Sequence, residues 1–124
     1  MYNDRTQQWS IIRANINVAF IDAFNNGMVK LNEQALIPEA HWYPCGFAWL
    51  VIKVRKNDKL SHTLKSLGFR WSDYNKQYQF SMPREAYKAA GMQQSMDYAT
   101  RCLTALANVL NDAGYPCFVQ SRID

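Results

Sequence analysis

Apolar residues recur at intervals of three and four from Thr6 to about Asn26, where Trp9, Ile12, Ile16, Phe20, Ala23 and Phe24 form one stripe and predict a helix. Ile11, Val18, Ala19 and Ile21 widen that stripe past half the circumference. A helix so apolar calls for cover on two sides, its own domain on one and a second subunit on the other, so a homodimer through this helix is an expectation. Gly27 stands where a left-handed helix stop would fall. Residues 28–45 read as a connector, because Pro38 and Pro44 block regular pairing.

From Phe47 the period changes to two. Ala48, Leu50, Ile52 and Val54 alternate with Phe47, Trp49, Val51 and Lys53, which predicts a strand apolar on both faces, central in its sheet and covered on each side for most of its length. Asn57-Asp58 is a helix-start signal and Gly68 a stop, enclosing Leu60, Leu64 and Leu67. Residues 69–82 read as a hairpin, with Phe69 and Trp71 in one arm, Tyr78, Phe80 and Met82 in the other, and turn chemistry over residues 72–76. In the second arm the simplest phase turns the rings inward and Gln77, Gln79 and Ser81 outward. An irregular link follows over residues 83–94, with a helical turn around residues 84–89. Ser95 then caps a second long helix whose stripe is Met96, Ala99, Leu103, Leu106, Leu110 and Ala113, closed by Gly114. Residues 115–122 form a last strand.

Beyond the connector the order is strand, helix, strand, strand, helix, strand. That order predicts an α+β fold, a ferredoxin-like split βαβ (βαββαβ) antiparallel sheet with two helices on one face. The additional N-terminal helix is expected on the sheet's other face or at a dimer contact. The 124 residues make one domain, divided into helix 1–27, connector 28–45 and α+β core 46–124.

Charge sharpens this picture. The chain carries a net +4, but residues 41–90 hold nine basic against three acidic residues, while the segments on either side are each slightly acidic. The excess sits in the same stretch as most of the rings and favours an anionic partner over an even, merely solubilising spread. Three widely spaced cysteines, Cys45, Cys102 and Cys117, suit a reducing compartment and thiols packed as small hydrophobes. No run approaches the roughly 18 apolar residues of a spanning helix, and Asp4, Arg5, Gln7 and Gln8 occupy the place of a signal peptide's apolar core. The expectation is a cytoplasmic protein without a membrane partner.

Catalytic chemistry finds little to stand on. His41 and Cys45 lack the second close pair a structural zinc requires, His62 stands alone, and nothing near Cys45 marks an activated thiolate. Carboxylates are scattered over Glu33, Glu39, Asp58 and Asp73, and the five glycines form no phosphate loop. No enzyme, metal or cofactor is therefore expected. The remaining chemistry is adhesive: Lys53, Arg55, Lys56, Arg70 and Arg122, with Trp42 and Trp71 as stacking or wedging rings. Phe47 and Trp49 on the first strand occupy positions from which related sheets stack bases, although the Lys/Arg-Gly-Phe-Gly-Phe-Val type of motif is missing. Arg122, within the closing Ser121-Arg122-Ile123-Asp124, can make a planar two-pronged contact to carboxylate or phosphate.

The segment Tyr43-Pro44-Cys45-Gly46-Phe47-Ala48-Trp49-Leu50, then Gly68, Gln94-Ser95-Met96, Gly114-Tyr115 and the Ser121-Arg122-Ile123-Asp124 ending, resembles a family of small uncharacterised bacteriophage proteins over residues 42–124. The chain departs from that pattern at Asn75-Lys76-Gln77, where the family carries glycines. Leu67-Gly68-Phe69-Arg70-Trp71 followed by Tyr78 is also similar to a helix–hairpin unit of plasmid and phage accessory proteins that act around nucleic acid. The resemblance implies an accessory protein in the host-cell cytoplasm that uses its basic, aromatic surface to bind and inhibit a host or defence protein whose own surface is acidic. Binding of nucleic acid or a signalling nucleotide is the alternative, and a minor virion or assembly component the third.

Overall fold

Helix α1 (Tyr2–Ala35) runs straight through Gly27, the residue at which the sequence pattern predicts its end. The computed structural model describes residues 2–37, 46–85 and 95–123, with side chains from residue 17 onward. After α1 come β1 (Gly46–Ile52), α2 (Ser61–Ser66), β2 (Arg70–Ser72), β3 (Gln77–Ser81), α3 (Met96–Asp112) and β4 (Phe118–Ile123). The four strands form one sheet in the order β2-β3-β1-β4, and every neighbouring pair is antiparallel. The architecture is mixed α+β, and residues 28–35 of the segment expected to be a connector are helix.

Gly27 has a packing role. A Cβ built there would lie 2.3 Å from Leu106 Cδ1 and 3.3 Å from the Leu106 carbonyl oxygen, so the missing side chain is what lets α1 and α3 approach. Phe20, Ala23, Phe24, Leu31 and Ala35 of α1 join Ala99, Leu103, Leu106 and Leu110 of α3 and Ala48, Leu50 and Ile52 of β1 in one buried core. The expectation that α1 covers the sheet's other face is therefore corrected: its residues 20–35 share the side of the sheet that α3 occupies. The cause is the ring of Phe24, which lies 5.4 Å from Phe80 and 5.8 Å from Phe69, both contributed from that side. Part of the wide stripe goes uncovered, since Val18 is 49% exposed and Ala19 is exposed beside it. Trp9, Ile12 and Ile16 lie outside the described side chains.

Residues of α3 close the end of α1. The Tyr98 hydroxyl donates to the Ala35 carbonyl, and Arg101 Nη2 donates to Ile37 O at 2.6 Å and to Gln34 O at 3.4 Å. The last carbonyls of a helix lack intrahelical donors, and a cation placed there also meets the negative end of the helix dipole. The Arg101 guanidinium lies 5.0 Å from the Tyr98 ring centre. Burial, reinforced by the neighbouring Cys102 thiol and only partly offset by Arg101, pushes the Tyr98 hydroxyl up to about 12.

Elsewhere local chemistry is as the pattern reads. Ser95 Oγ accepts from Tyr98 N–H at 3.2 Å and caps α3. Gly68 and Gly114 take φ of +105° and +93° where α2 and α3 end. Ala113, placed in the buried stripe by its spacing, is exposed because α3 has already ended at Asp112. At the hairpin the left-handed residue is Lys76, φ 54°, in the turn where the resembled family carries glycines. Most of the helical turn expected around residues 84–89 lies outside the described residues.

Candidate functional site

Directly opposed residues of antiparallel strands share a face. The register therefore lays out two faces row by row. Trp71–Tyr78–Ile52, Phe80–Leu50–Val119 and Ala48–Ser121 point towards the helices. Arg70–Gln79–Val51–Phe118, Ser81–Trp49–Gln120 and Phe47–Arg122 point the other way, onto a face against which none of the described helices packs.

This open face combines rings, cations and amides. Phe47 is 58% and Phe118 41% exposed, with Trp49 half-buried between their rows. Lys53 Nζ lies 5.8 Å from the centre of the Phe118 ring, in reach of a cation–π contact. Arg122 stands beside Phe47 and Arg70 at the end of the Phe118 row. Gln120 Oε1 accepts from Trp49 Nε1 at 3.0 Å and from Gln77 Nε2 at 3.0 Å, tying β4, β1 and β3 together across the face. Val51 and Gln77 are buried, so the middle of the face is packed while its β4 side stays open. No Asp or Glu occurs in any of these rows.

Several expected site residues fall elsewhere. The Trp71 ring turns to the helix side, 5.0 Å edge-on from the Tyr78 ring, with its Nε1 donating to Asp73 Oδ1 at 3.0 Å. It is thus part of the packed interior edge, and the expectation of a free stacking ring is corrected. Strand parity decides this, because Trp71 sits opposite Tyr78 and Arg70 opposite Gln79. Lys56 belongs to the same corner: its Nζ lies 3.9 Å from Asp73 Oδ1 and its carbonyl accepts from the Tyr78 hydroxyl. Arg55 is exposed past the end of β1, where its carbonyl accepts from Asp58 N–H at 3.0 Å and the chain turns away. Trp42, with His41 and Cys45, lies outside the described residues. The structure therefore places Lys53, Arg70 and Arg122 on one face of the sheet and separates Lys56 and Trp71 from them.

One expectation holds and one is revised. β1 is central and covered for most of its length, with Phe47 at its start exposed. Gln77 is buried at 1% exposure, since Gln120 reaches its amide. Phe118 and Gln120 went unnoticed as site residues. The signal was the alternation Phe118, Gln120, Arg122 in the last strand, which puts a ring, an amide and a cation on one side.

The two described thiols are quiet. Cys102 is buried, and Cys117 Sγ lies 3.5 Å from the Ala107 carbonyl oxygen, within reach to donate. Burial raises the Cys102 thiol and pushes Cys117 up to about 11. Both groups are held in the protonated form, so their contribution to stability is fully present below the ordinary thiol range, about 8.5, and is lost as pH rises through the folded value. The denaturant midpoint is expected to fall between pH 8.5 and 11, and Cys117→Ala to remove part of that slope. An unchanged slope in Cys117→Ala would show that burial does not hold this thiol neutral.

Among the described residues no three His, Cys, Asp or Glu side chains gather closely enough to hold a metal ion, and no helix is long and apolar enough to cross a membrane. No protein-family model, curated protein or solved structure matches the chain.

Proposed function

We propose that the chain is a binding module without catalytic activity and that the open face of its sheet binds single-stranded nucleic acid. One observation carries this reading: exposed Phe47 and Phe118 share a face with Lys53, Arg70 and Arg122, and among the described residues the strand rows of that face hold no Asp or Glu. Rings offer stacking surfaces to any base, and cations hold the phosphates that connect them. Phe47, Trp49 and the Phe118 row are stepped two residues apart, about 7 Å per step at a rise of 3.4 Å per residue. The strand order supports reading the sheet as the split βαβ, ferredoxin-like arrangement, in which this face is the usual platform for single strands. The likeness to small phage proteins supplies the setting, an accessory protein in an infected cytoplasm.

Inhibition of a host or defence protein is the second reading. The feature favouring it is Tyr74, 95% exposed at the hairpin tip between the Lys56–Asp73 pair and Lys76, a ring placed to wedge into a partner.

Fluorescence anisotropy with labelled single-stranded DNA and RNA, set against duplex, separates the two. Phe47→Ala is expected to weaken strand binding by about 1–3 kcal/mol, roughly 5- to 150-fold. Arg122→Ala is expected to weaken it uniformly across sequences and to flatten the salt slope by about 0.7. Absence of saturable strand binding at low salt, together with stoichiometric, nuclease-resistant recovery of one host protein, would move the assignment to inhibition.

A further inference from the structure

We infer that β4 is a self-pairing edge: it joins β4 of a second copy, antiparallel, about a twofold axis at Gln120, to make one continuous eight-stranded sheet. The sheet has two edges, and they differ. β2 is three residues long, tied down by the Trp71–Asp73 bond and followed at once by its turn. β4 is six residues long, with no proline inside it and Arg122 as its single charge, and it ends the sheet with Ser121, Arg122 and Ile123 all exposed. Natural edges are usually shortened, charged or bulged to prevent pairing, and along β4 Arg122 is the single such guard.

The side chains say what fits it. In a continuous sheet, open-face residues must oppose open-face residues. For β4 these are Phe118, Gln120 and Arg122, in the order ring, amide, cation. A twofold at Gln120 sets each Phe118 ring against the guanidinium of Arg122 in the other copy, twice, with Gln120 against itself and Val119 against Ser121. The exposed ring and the exposed cation are complementary to each other, so one strand carries both halves of the contact. A twofold one residue earlier would oppose Arg122 to Pro116, which has no N–H to give. A twofold at Arg122 itself would set the two guanidiniums directly against each other. The register at Gln120 opposes residues 118–122 of the two strands throughout and sets each cation against a ring.

The arrangement also brings the two open faces edge to edge, so the ring tracks of both copies become one surface. The pairing itself does not depend on what that surface binds, and its test reads mass alone.

Sedimentation equilibrium of the full chain over a range of micromolar concentrations is expected to give twice the 14.4 kDa of one copy. Phe118→Arg, which opposes two cations at both ends of the interface, is expected to weaken the dimer by at least about tenfold. Phe118→Glu removes the same ring but faces Arg122 with a carboxylate, and is expected to stay dimeric. Combining Phe118→Arg with Arg122→Glu reverses the pair and is expected to restore the dimer. Circular dichroism on each variant checks folding, and if Phe118→Arg fails to fold, Phe118→Glu and the double variant still decide the matter. Single-chain mass for the wild type across the range overturns the inference. So does a dimer indifferent to all of these substitutions, as one formed through α1 would be, or equal loss in Phe118→Arg and Phe118→Glu.

Discussion

Phe24→Ala is expected to lower the free energy of unfolding by about 3–5 kcal/mol, the range for removing a large buried ring. Phe24 is 5% exposed and meets three other rings: Phe20 at 6.4 Å, Phe69 at 5.8 Å and Phe80 at 5.4 Å between centres. Those partners come from α1 itself, from the segment before β2 and from β3, so the ring joins the helix to the sheet. Their packing leaves little freedom to refill the void. Typical domains are stable by about 5–15 kcal/mol, so a loss of this size takes much of the total. Urea unfolding followed by far-ultraviolet circular dichroism measures it. A loss below about 1 kcal/mol would mean that α1 is an appendage and that the core closes without it.

The second large effect is at Gly27. In an isolated helix any ordinary residue would improve on glycine, by about 1 kcal/mol for alanine. Here the sign is expected to reverse with size. A Cβ at position 27 meets Leu106 Cδ1 at 2.3 Å, and Leu106 is fully buried, so its methyl group has nowhere open to move. Gly27→Ala sets about 1 kcal/mol of helix propensity against an overpacking cost of about 1–3 kcal/mol, and is expected to be neutral to mildly destabilising. Gly27→Leu cannot be accommodated without separating α1 from α3 and is expected to cost about 3 kcal/mol or more. Thermal melts of the two variants beside the wild type test this. Higher melting temperatures for both would show that the helices do not need the close approach.

The contrast between these two positions explains what was legible in the chain. Phe24 was readable as core because its spacing from Phe20 and Ala23 is a property of helical periodicity alone. Gly27 was misread as a stop because the same residue serves two ends: it relaxes the backbone at a helix terminus, and it makes room where two helices cross. Which of these applies depends on a residue nearly eighty positions away. Residues 28–35 were read as connector for the same reason, since the carbonyls at the end of α1 are satisfied by Tyr98 and Arg101, which no local pattern around Ala35 announces.

The candidate site divides in a similar way. Alternation alone sorted Tyr78 and Phe80 from Gln79, and Ser95 and Gly114 announced the ends of α3. Parity alone, however, does not say which side of a strand will be covered. Trp71 and Phe47 are both rings on strands; Trp71 became interior because the helices lie on its side, and Phe47 stayed outside because they do not. Phe118 was passed over because its worth comes from neighbours, Lys53 across one strand boundary and the row that ends at Arg70, that are distant along the chain.

The chain's own pattern was enough to determine the types and order of the strands and of the later helices, most residues of the core stripes, the cap and stop of α3, and the concentration of positive charge in the middle third. These follow from periodicity, backbone preference and composition, which act within a few residues. The side of the sheet on which α1 lies, the reach of that helix past Gly27, and the separation of Lys53, Arg70 and Arg122 from Lys56 and Trp71 were decided only when the strands paired and the helices docked. Register and packing are relations between distant residues, and no short-range rule contains them.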